Sequence, residues 1–256
     1  MKKGTVIMVF GIVFPLFCFA LGTLWRGDFT SWAQHIAFDL MFLAGAIAFT
    51  IQYTLIEPEL AERKFWIRSA IAFWLFFLTS LLRIYILPLL GVPAKITVFL
   101  NIAYIPSLLI LLWGVALLVM SFNVKLSFSQ KSSIWVSGLL ILGLFIFVLI
   151  PNFQRDIVDL ITLITEMFLS VSGITMFILA MTLIFKTRGG KLQQAFFMIS
   201  CALAFLVLYK VSYISDLVRG YQNDTMSWLT LLMFTLCMIF ALTSISIRNN
   251  AYKIEN

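Results

Sequence analysis

Charge is scarce in this sequence of 256 residues: Asp, Glu, Lys and Arg make up only 11% of it, whereas 62% is apolar and Phe alone occurs 26 times. A typical soluble domain is about 45–50% apolar and about 25% charged. A water-soluble fold of this length needs far more charge on its surface. The composition therefore excludes a soluble globular protein and predicts an integral membrane protein.

Histidine and cysteine are also nearly absent. The chain has one histidine, His35, and three cysteines, Cys18, Cys201 and Cys237, each alone in an apolar run. Metal centres need clusters of His, Cys or carboxylate groups, and carriage of haem by paired helical histidines needs more than one His. Phosphate-binding loops of the Walker or dinucleotide type are missing as well. We therefore expect no metal and no cofactor.

No combination of acid, base and nucleophile points to an enzyme. The segment 170–173 bears a vague likeness to the serine motif of rhomboid proteases, but the one histidine lies on a different span. A retinal Schiff base at Lys210 is disfavoured because Leu206 occupies the position one turn earlier, where retinal proteins often carry an acid. The net charge of +7 is typical of basic cytoplasmic loops in membrane proteins and does not predict nucleic-acid binding.

Long apolar runs are what the sequence does have. A helix needs about 20 apolar residues to cross the hydrocarbon core. Eight segments meet this length, at 4–24, 34–56, 66–87, 97–121, 133–150, 158–185, 193–215 and 226–247. They do not alternate polar and apolar residues as the strands of a membrane barrel do. The sequence predicts an all-α polytopic protein of eight transmembrane helices, in which the first run is a helix and not a cleaved signal peptide.

Basic residues are distributed unevenly between the two sides of this bundle. With the N-terminus inside, twelve of them fall on the cytoplasmic side and four on the outer side. The inner set is Lys2, Lys3, Arg63, Lys64, Arg68, Lys125, Lys131, Lys186, Arg188, Lys191, Arg248 and Lys253, and the outer set is Arg26, Lys95, Arg155 and Arg219. Cytoplasmic loops carry such an excess. The bias predicts a protein of the plasma (cytoplasmic) membrane with both termini in the cytoplasm.

The two halves of the chain match at an offset of 127 residues. Gly11 then falls on Gly138, Asp39 on Glu166, Lys64 on Lys191 and Arg83 on Lys210. The charges that match inside spans are the evidence for a repeat, because aligned apolar residues prove little in a membrane protein. The pattern predicts a parallel 4+4 tandem repeat, 1–128 and 129–256, with a pseudo-twofold axis along the membrane normal.

Four charged residues lie at similar depth inside the predicted spans. Asp39 and Arg83 each lie about six residues outward from the middle of a span, which is roughly 9 Å at 1.5 Å per residue. Glu166 and Lys210 reach a comparable depth in the second half. Each such charge costs about 2.5–3.5 kcal/mol on insertion scales, and such residues persist when they pair, face water or serve a function. We expect Asp39–Arg83 and Glu166–Lys210 pairs, with pairing across the halves equally allowed.

Further polar residues accompany these charges towards the outer side. Asp159 and Glu166 share one helical stripe, Tyr213 lies one turn outward from Lys210, and Asn101 and Tyr104 open the fourth span. Together they predict an outward-facing polar vestibule lined by spans 2, 3, 6 and 7, with spans 4 and 8 contributing. Spans 1 and 5 carry almost no polar residues and are expected at the periphery.

The vestibule favours a small membrane protein that binds or translocates a small solute or ion on the outer side. Two alternatives remain. One is a receptor or sensor module that signals through a partner protein docked on the basic loops. The other is a structural subunit of a larger membrane complex, in which the charges are only buried salt bridges or side chains that snorkel to the headgroups.

Overall fold

Helices are the only regular elements among the residues that the computed structural model describes, namely 28–92, 100–153, 160–189, 192–218 and 224–253; at several helix ends the backbone alone is described. The elements are α1 (Asp28–Leu55), α2 (Ala61–Leu81), a π-helical turn (Leu82–Ile86), α3 (Leu87–Leu89), a 3-10 turn (Leu100–Ala103), α4 (Tyr104–Ser121), α5 (Phe128–Phe153), α6 (Leu160–Lys186), α7 (Gln193–Val218) and α8 (Asp224–Lys253). The prediction of an all-helical chain is confirmed for this part of the sequence.

Several of these helices suit a bilayer. Within the described ranges, five stretches of 18 to 28 residues are long and apolar enough to cross a membrane: His35–Leu55, Glu62–Leu89, Tyr104–Ser121, Phe128–Phe147 and Leu229–Asn250. Two shorter apolar stretches, Ser170–Lys186 and Gln193–Tyr209, lie in α6 and α7. The chain is therefore a helical membrane protein. The predicted first span, 4–24, lies outside the described residues, and the total of eight spans stays a prediction.

Local sequence explains where the helices begin and end. At the start of α5, the Ser127 backbone N–H donates to Gln130 Oε1 at 2.8 Å, and the Gln130 backbone N–H donates to Ser127 Oγ at 3.3 Å. This reciprocal capping box satisfies two N–H groups that the helix leaves unpaired. At the end of α3, Gly91 has φ +70°, and the N–H groups of Gly91 and Val92 donate to the carbonyls of Pro88 and Leu87. That Schellman geometry needs a left-handed residue, which glycine adopts without strain.

The described helices group into two compact units, Met1–Leu118 and Val119–Asn256. In the first unit, α1 and α2 pack through a cluster of phenylalanines. The Phe49 and Phe73 rings meet edge to face at 4.9 Å between centroids, and Phe42 stacks on Phe76 at 5.4 Å. Helix α2 also contacts α4, where the Arg68 guanidinium lies 4.2 Å over the Trp113 ring. Aromatic contacts of this kind therefore join α2 to both α1 and α4.

The second unit is organised around α7. Phe205 stacks on Phe240 of α8 at 5.3 Å, and Tyr209 packs against Phe234 at 5.0 Å. Helices α5 and α6 approach closely where Phe145 lies against Gly173. Only 17% of the membrane-spanning stretch of α5 is buried, against 33–50% in the other four stretches. The predicted peripheral position of span 5, the predicted 4+4 repeat and its boundary stay predictions.

Candidate functional site

Three of the eight residues proposed for the vestibule have described side chains: Asp39, Arg83 and Tyr104. Four others lie on helices or turns whose backbone is described, but their side chains lie outside the description: Asn101, Glu166, Lys210 and Tyr213. Asp159 lies outside the described residues altogether. The Glu166–Lys210 pair and the lining of the vestibule by the second half therefore stay predictions.

Asp39 is buried by its place on the packing face of α1. Residues 39, 42, 46 and 49 follow one another at spacings of 3, 4 and 3, so they share the helix face that packs on α2. The apolar members of this stripe, Phe42, Ala46 and Phe49, are at most 8% exposed, and Asp39 is only 5% exposed. A carboxyl group thus occupies a position at which the helical period predicts an apolar core side chain.

The Asp39 carboxylate lacks hydrogen bonds in this buried position. The hydroxyls of Ser80 and Tyr85 approach it from the facing helix. Neither contact has hydrogen-bond geometry, since both carboxylate oxygens are buried without a hydrogen-bond partner. Hydrogen bonds weaken steeply outside the usual distance and angle, so these two hydroxyls stabilise the carboxylate little. The surroundings therefore offset only part of the free-energy cost of burying the carboxylate.

An open groove of about 260 Å³ runs over Asp39 between α1 and the end of α2. Its lining consists of Ile36, Asp39, Leu40, Leu43, Phe77, Leu81 and Tyr85. The accessible surface of the groove is almost entirely apolar, and the carboxylate oxygens of Asp39 are buried beneath it. The groove thus differs from the polar vestibule that the sequence predicts.

Arg83 does not form the expected hydrogen-bonded pair with Asp39, because neither oxygen of that carboxylate has a hydrogen-bond partner. Both charges instead act electrostatically on His35, one helical turn before Asp39 on α1. In the sequence, His35 stands out only as a solitary histidine. Its spacing of four residues from Asp39, which brings two side chains together on a helix, is the feature that could have linked it to this site.

The helix carrying Arg83 and Tyr85 widens into a π-helical turn from Leu82 to Ile86, where the Leu87 N–H donates to the Leu82 carbonyl five residues earlier. Pro88 follows directly. Its ring cannot donate a backbone hydrogen bond and clashes with the carbonyl four residues earlier, that of Ile84. Widening the turn relieves this conflict, and such π turns occur frequently at functional sites. The wide turn carries Tyr85 at the wall of the groove.

Tyr104 lies elsewhere in the first unit. Its half-buried ring stacks on Phe76 at 6.0 Å between centroids, where α2 packs against α4. The residue is not part of the groove lining. Within the described part of the chain, no group of three or more His, Cys, Asp or Glu side chains is placed to hold a metal ion.

Comparison with known proteins adds no functional assignment to this geometry. No protein-family model, no curated protein and no solved structure matches the chain.

Proposed function

We propose that this membrane protein binds a small cationic solute and that the Asp39 carboxylate is the anionic anchor of the site. One observation carries the proposal: Asp39 is 5% exposed, neither carboxylate oxygen has a hydrogen-bond partner, and the side chain lies in the wall of an open groove. The charge bias of the sequence predicts that this end of α1 and α2 faces outward, so the solute is expected to arrive from the outer side.

Burial of a carboxyl group without hydrogen bonds supports a cationic partner. A charge inside a membrane span costs about 2.5–3.5 kcal/mol on insertion scales, and two hydroxyls outside hydrogen-bond geometry offset little of that cost. The carboxylate oxygens lie beneath the apolar surface of the groove, and a cation that enters from the groove and reaches them would restore the missing interaction at short range, where low polarity strengthens the attraction. The site thus gains most when a positive charge enters it.

The open groove also weighs against a purely structural role for Asp39. A buried structural salt bridge is favoured when its two charged groups hydrogen-bond to each other with good geometry. Asp39 has no such bond to Arg83. The receptor or sensor alternative would use the same groove and differs only in whether the bound solute crosses the bilayer.

Equilibrium binding to the full chain in lipid nanodiscs tests the proposal. Sodium, methylammonium and phenethylammonium are titrated at pH 7 by calorimetry, with empty nanodiscs as the blank. We expect saturable binding of at least one of these cations, weakened tenfold or more by Asp39→Asn. Glu57→Gln, which removes the same charge from an exposed loop position, should bind as the unmodified chain does.

Equal affinity in the Asp39→Asn and unmodified chains, or no saturable binding of any of the three cations, would contradict the proposal. Uptake of methylammonium into proteoliposomes separates the two functional alternatives. Saturable uptake that needs Asp39 supports transport, whereas binding without uptake supports the sensor.

A further inference from the structure

We infer that a face formed by α2 and α4 near their predicted cytoplasmic ends binds the phosphate group of an anionic phospholipid. The cationic groups of this lipid site are the Lys64 ammonium and the Arg68 guanidinium, which stacks on the Trp113 ring. The inference goes beyond the proposed function and does not depend on Asp39, which lies towards the predicted outer side.

The two cations lie side by side on α2. Lys64 and Arg68 are four residues apart, a spacing that brings side chains together on one face of a helix. Arg68 Nη1 donates to the Lys64 carbonyl at 2.8 Å, so the guanidinium reaches back one helical turn, about 5 Å, towards the start of α2. Because α2 begins at the predicted cytoplasmic side, this bond brings the charge of Arg68 towards the level of the lipid headgroups, as a snorkelling side chain does.

Both cations remain available to a ligand. The Nε atom of Arg68 is enclosed, but its Nη2 atom is not, and within the described part of the chain Nη2 donates no hydrogen bond. Lys64 is exposed, and neither cation pairs with a carboxylate among the described residues, which include the exposed Glu57 and Glu59 of the preceding loop. A phosphate fits this arrangement, because its oxygens form charge-assisted hydrogen bonds with guanidinium and ammonium groups.

Helix α4 holds the guanidinium in place. Arg68 lies 4.2 Å over the Trp113 ring. At the next residue, Gly114, the two helices are so close that an added Cβ would lie 3.0 Å from the Cβ of Arg68. These contacts restrict the long arginine side chain before any ligand arrives, so binding a phosphate costs less conformational entropy.

Apolar side chains on the same stripes suit the acyl chains of a lipid. Ile71 and Leu78 follow Lys64 on α2 at spacings of seven residues, and Met120 follows Trp113 on α4 at the same spacing, so each set shares one helix face. All of these apolar side chains are exposed and lie in membrane-spanning stretches, where their exposed surface meets lipid. An apolar wall with two cations at its cytoplasmic end matches the two parts of a phospholipid.

The cytoplasmic leaflet supplies such a ligand. It contains anionic lipids, and basic pockets between membrane helices on this side bind their headgroups. Phosphatidylcholine carries the same phosphate together with its own quaternary ammonium group, which competes with Lys64 and Arg68 for that phosphate. The site should therefore prefer a lipid without an internal cation, such as phosphatidylglycerol.

Native mass spectrometry of the full chain in detergent tests this preference. Phosphatidylglycerol and phosphatidylcholine with the same acyl chains are titrated separately, and we expect phosphatidylglycerol to bind at least tenfold more tightly. Lys64→Gln and Arg68→Gln should each weaken its binding about fivefold and change phosphatidylcholine binding by less than twofold. Lys131→Gln removes the same charge from an exposed position at the start of α5, and this control should bind both lipids as the unmodified chain does.

Brominated lipids locate the site, because bromine quenches tryptophan fluorescence at short range. The full chain is placed in nanodiscs of equal parts phosphatidylglycerol and phosphatidylcholine, with bromine on the acyl chains of one lipid or the other. We expect stronger quenching when phosphatidylglycerol carries the bromine. Trp113→Phe, which keeps an aromatic ring under Arg68, should remove that excess.

Equal affinity for the two lipids, or unchanged phosphatidylglycerol binding in both glutamine variants, would overturn the inference. Displacement of the lipid by millimolar glycerol 1-phosphate would assign the cations to a soluble anion, and a dimer that excludes the lipid would assign the face to a second copy of the chain. If Arg68→Gln does not fold, Lys64→Gln decides, because its side chain is exposed. Asp39→Asn should leave lipid binding unchanged, so this site and the proposed cation site can fail separately.

Discussion

Lys186 illustrates how one charged side chain can be used for structure in this protein. Its ammonium group donates to the carbonyls of Val119 at 3.1 Å and Phe122 at 2.9 Å, on either side of the residue where α4 ends. Carbonyls at a helix end lack partners within the helix, and a positive charge also complements the negative end of the helix dipole. Lys186 therefore links two segments separated by more than sixty residues of chain.

Replacing this lysine should destabilise the fold. Lys186→Met keeps the length of the side chain but removes both bonds, and hydrogen bonds to charged groups contribute about 1.5–3 kcal/mol each in general. Because the side chain is only part-buried, we expect a loss near the lower end of that range, visible as a lower Tm in detergent. Arg188→Met, at an exposed position two residues later, serves as the control, and equal Tm values for the two variants would contradict the assignment.

Asp39 and Lys186 also differ in how far sequence alone describes them. The insertion cost of a charge within an apolar run was enough to select Asp39, because that cost does not depend on the neighbours of the residue. The apolar run next to Lys186 predicts only a basic residue near the membrane surface. Its partners are main-chain carbonyls, which carry no side-chain pattern that a sequence could display.

At the scale of elements, the contact between α5 and α6 depends on the absence of a side chain. A Cβ atom built on Gly173 would lie 2.8 Å from Cζ of Phe145 and 3.1 Å from its Cε2. The Phe145 ring is 1% exposed, so it has little room to move away. Small residues allow membrane helices to approach closely, and close packing is a main source of their association.

We expect Gly173→Ala to destabilise the protein by about 1–3 kcal/mol through overpacking, measured as a lower Tm. Gly143→Ala is the matched control on α5, because its added Cβ meets no atom within 4 Å and alanine favours a helix over glycine by about 0.5–1 kcal/mol. Combining Gly173→Ala with Phe145→Leu should recover part of the loss. A neutral Gly173→Ala would show that this contact does not limit the packing of α5 on α6.

The predicted helices match the observed helices more closely in position than in length. The apolar run at 133–150 predicts the middle of α5, yet the helix begins at Phe128. The five extra residues include polar side chains that a hydrophobicity criterion excludes, although the Ser127 and Gln130 capping box marks the start. The π turn before Pro88 could be anticipated only as a break, since proline predicts disruption but not the form that it takes.

At the scale of the whole molecule, arginine side chains contact aromatic rings near one end of the α1–α2 pair. Arg63 lies 4.6 Å over the Tyr53 ring, and Arg68 lies 4.2 Å over Trp113. Aromatic and basic side chains are both enriched at the interfaces of a membrane with water. This end is the one that the charge bias predicts to face the cytoplasm.

Reporter fusions test that orientation directly. A green fluorescent protein fused after Asn256 should fluoresce in a bacterial host, because its chromophore matures in the cytoplasm. An alkaline phosphatase fused after Gln222 should be active, because the loop before α8 is predicted to lie outside. A dark fusion at Asn256 together with an inactive fusion at Gln222 would reverse the predicted topology.

The sequence by itself determined the membrane location, the helical class and the position of a costly acid at residue 39, because each follows from local composition and from the period of a helix. The tertiary structure decided what surrounds that acid. Whether Asp39 meets Arg83, a hydroxyl or an open apolar groove depends on how α1 and α2 rotate and where the π turn directs Tyr85. The rotation of the two helices and the direction of Tyr85 depend on how bulky aromatic side chains pack. Because apolar residues have similar hydropathy, the pattern along the sequence does not specify that packing.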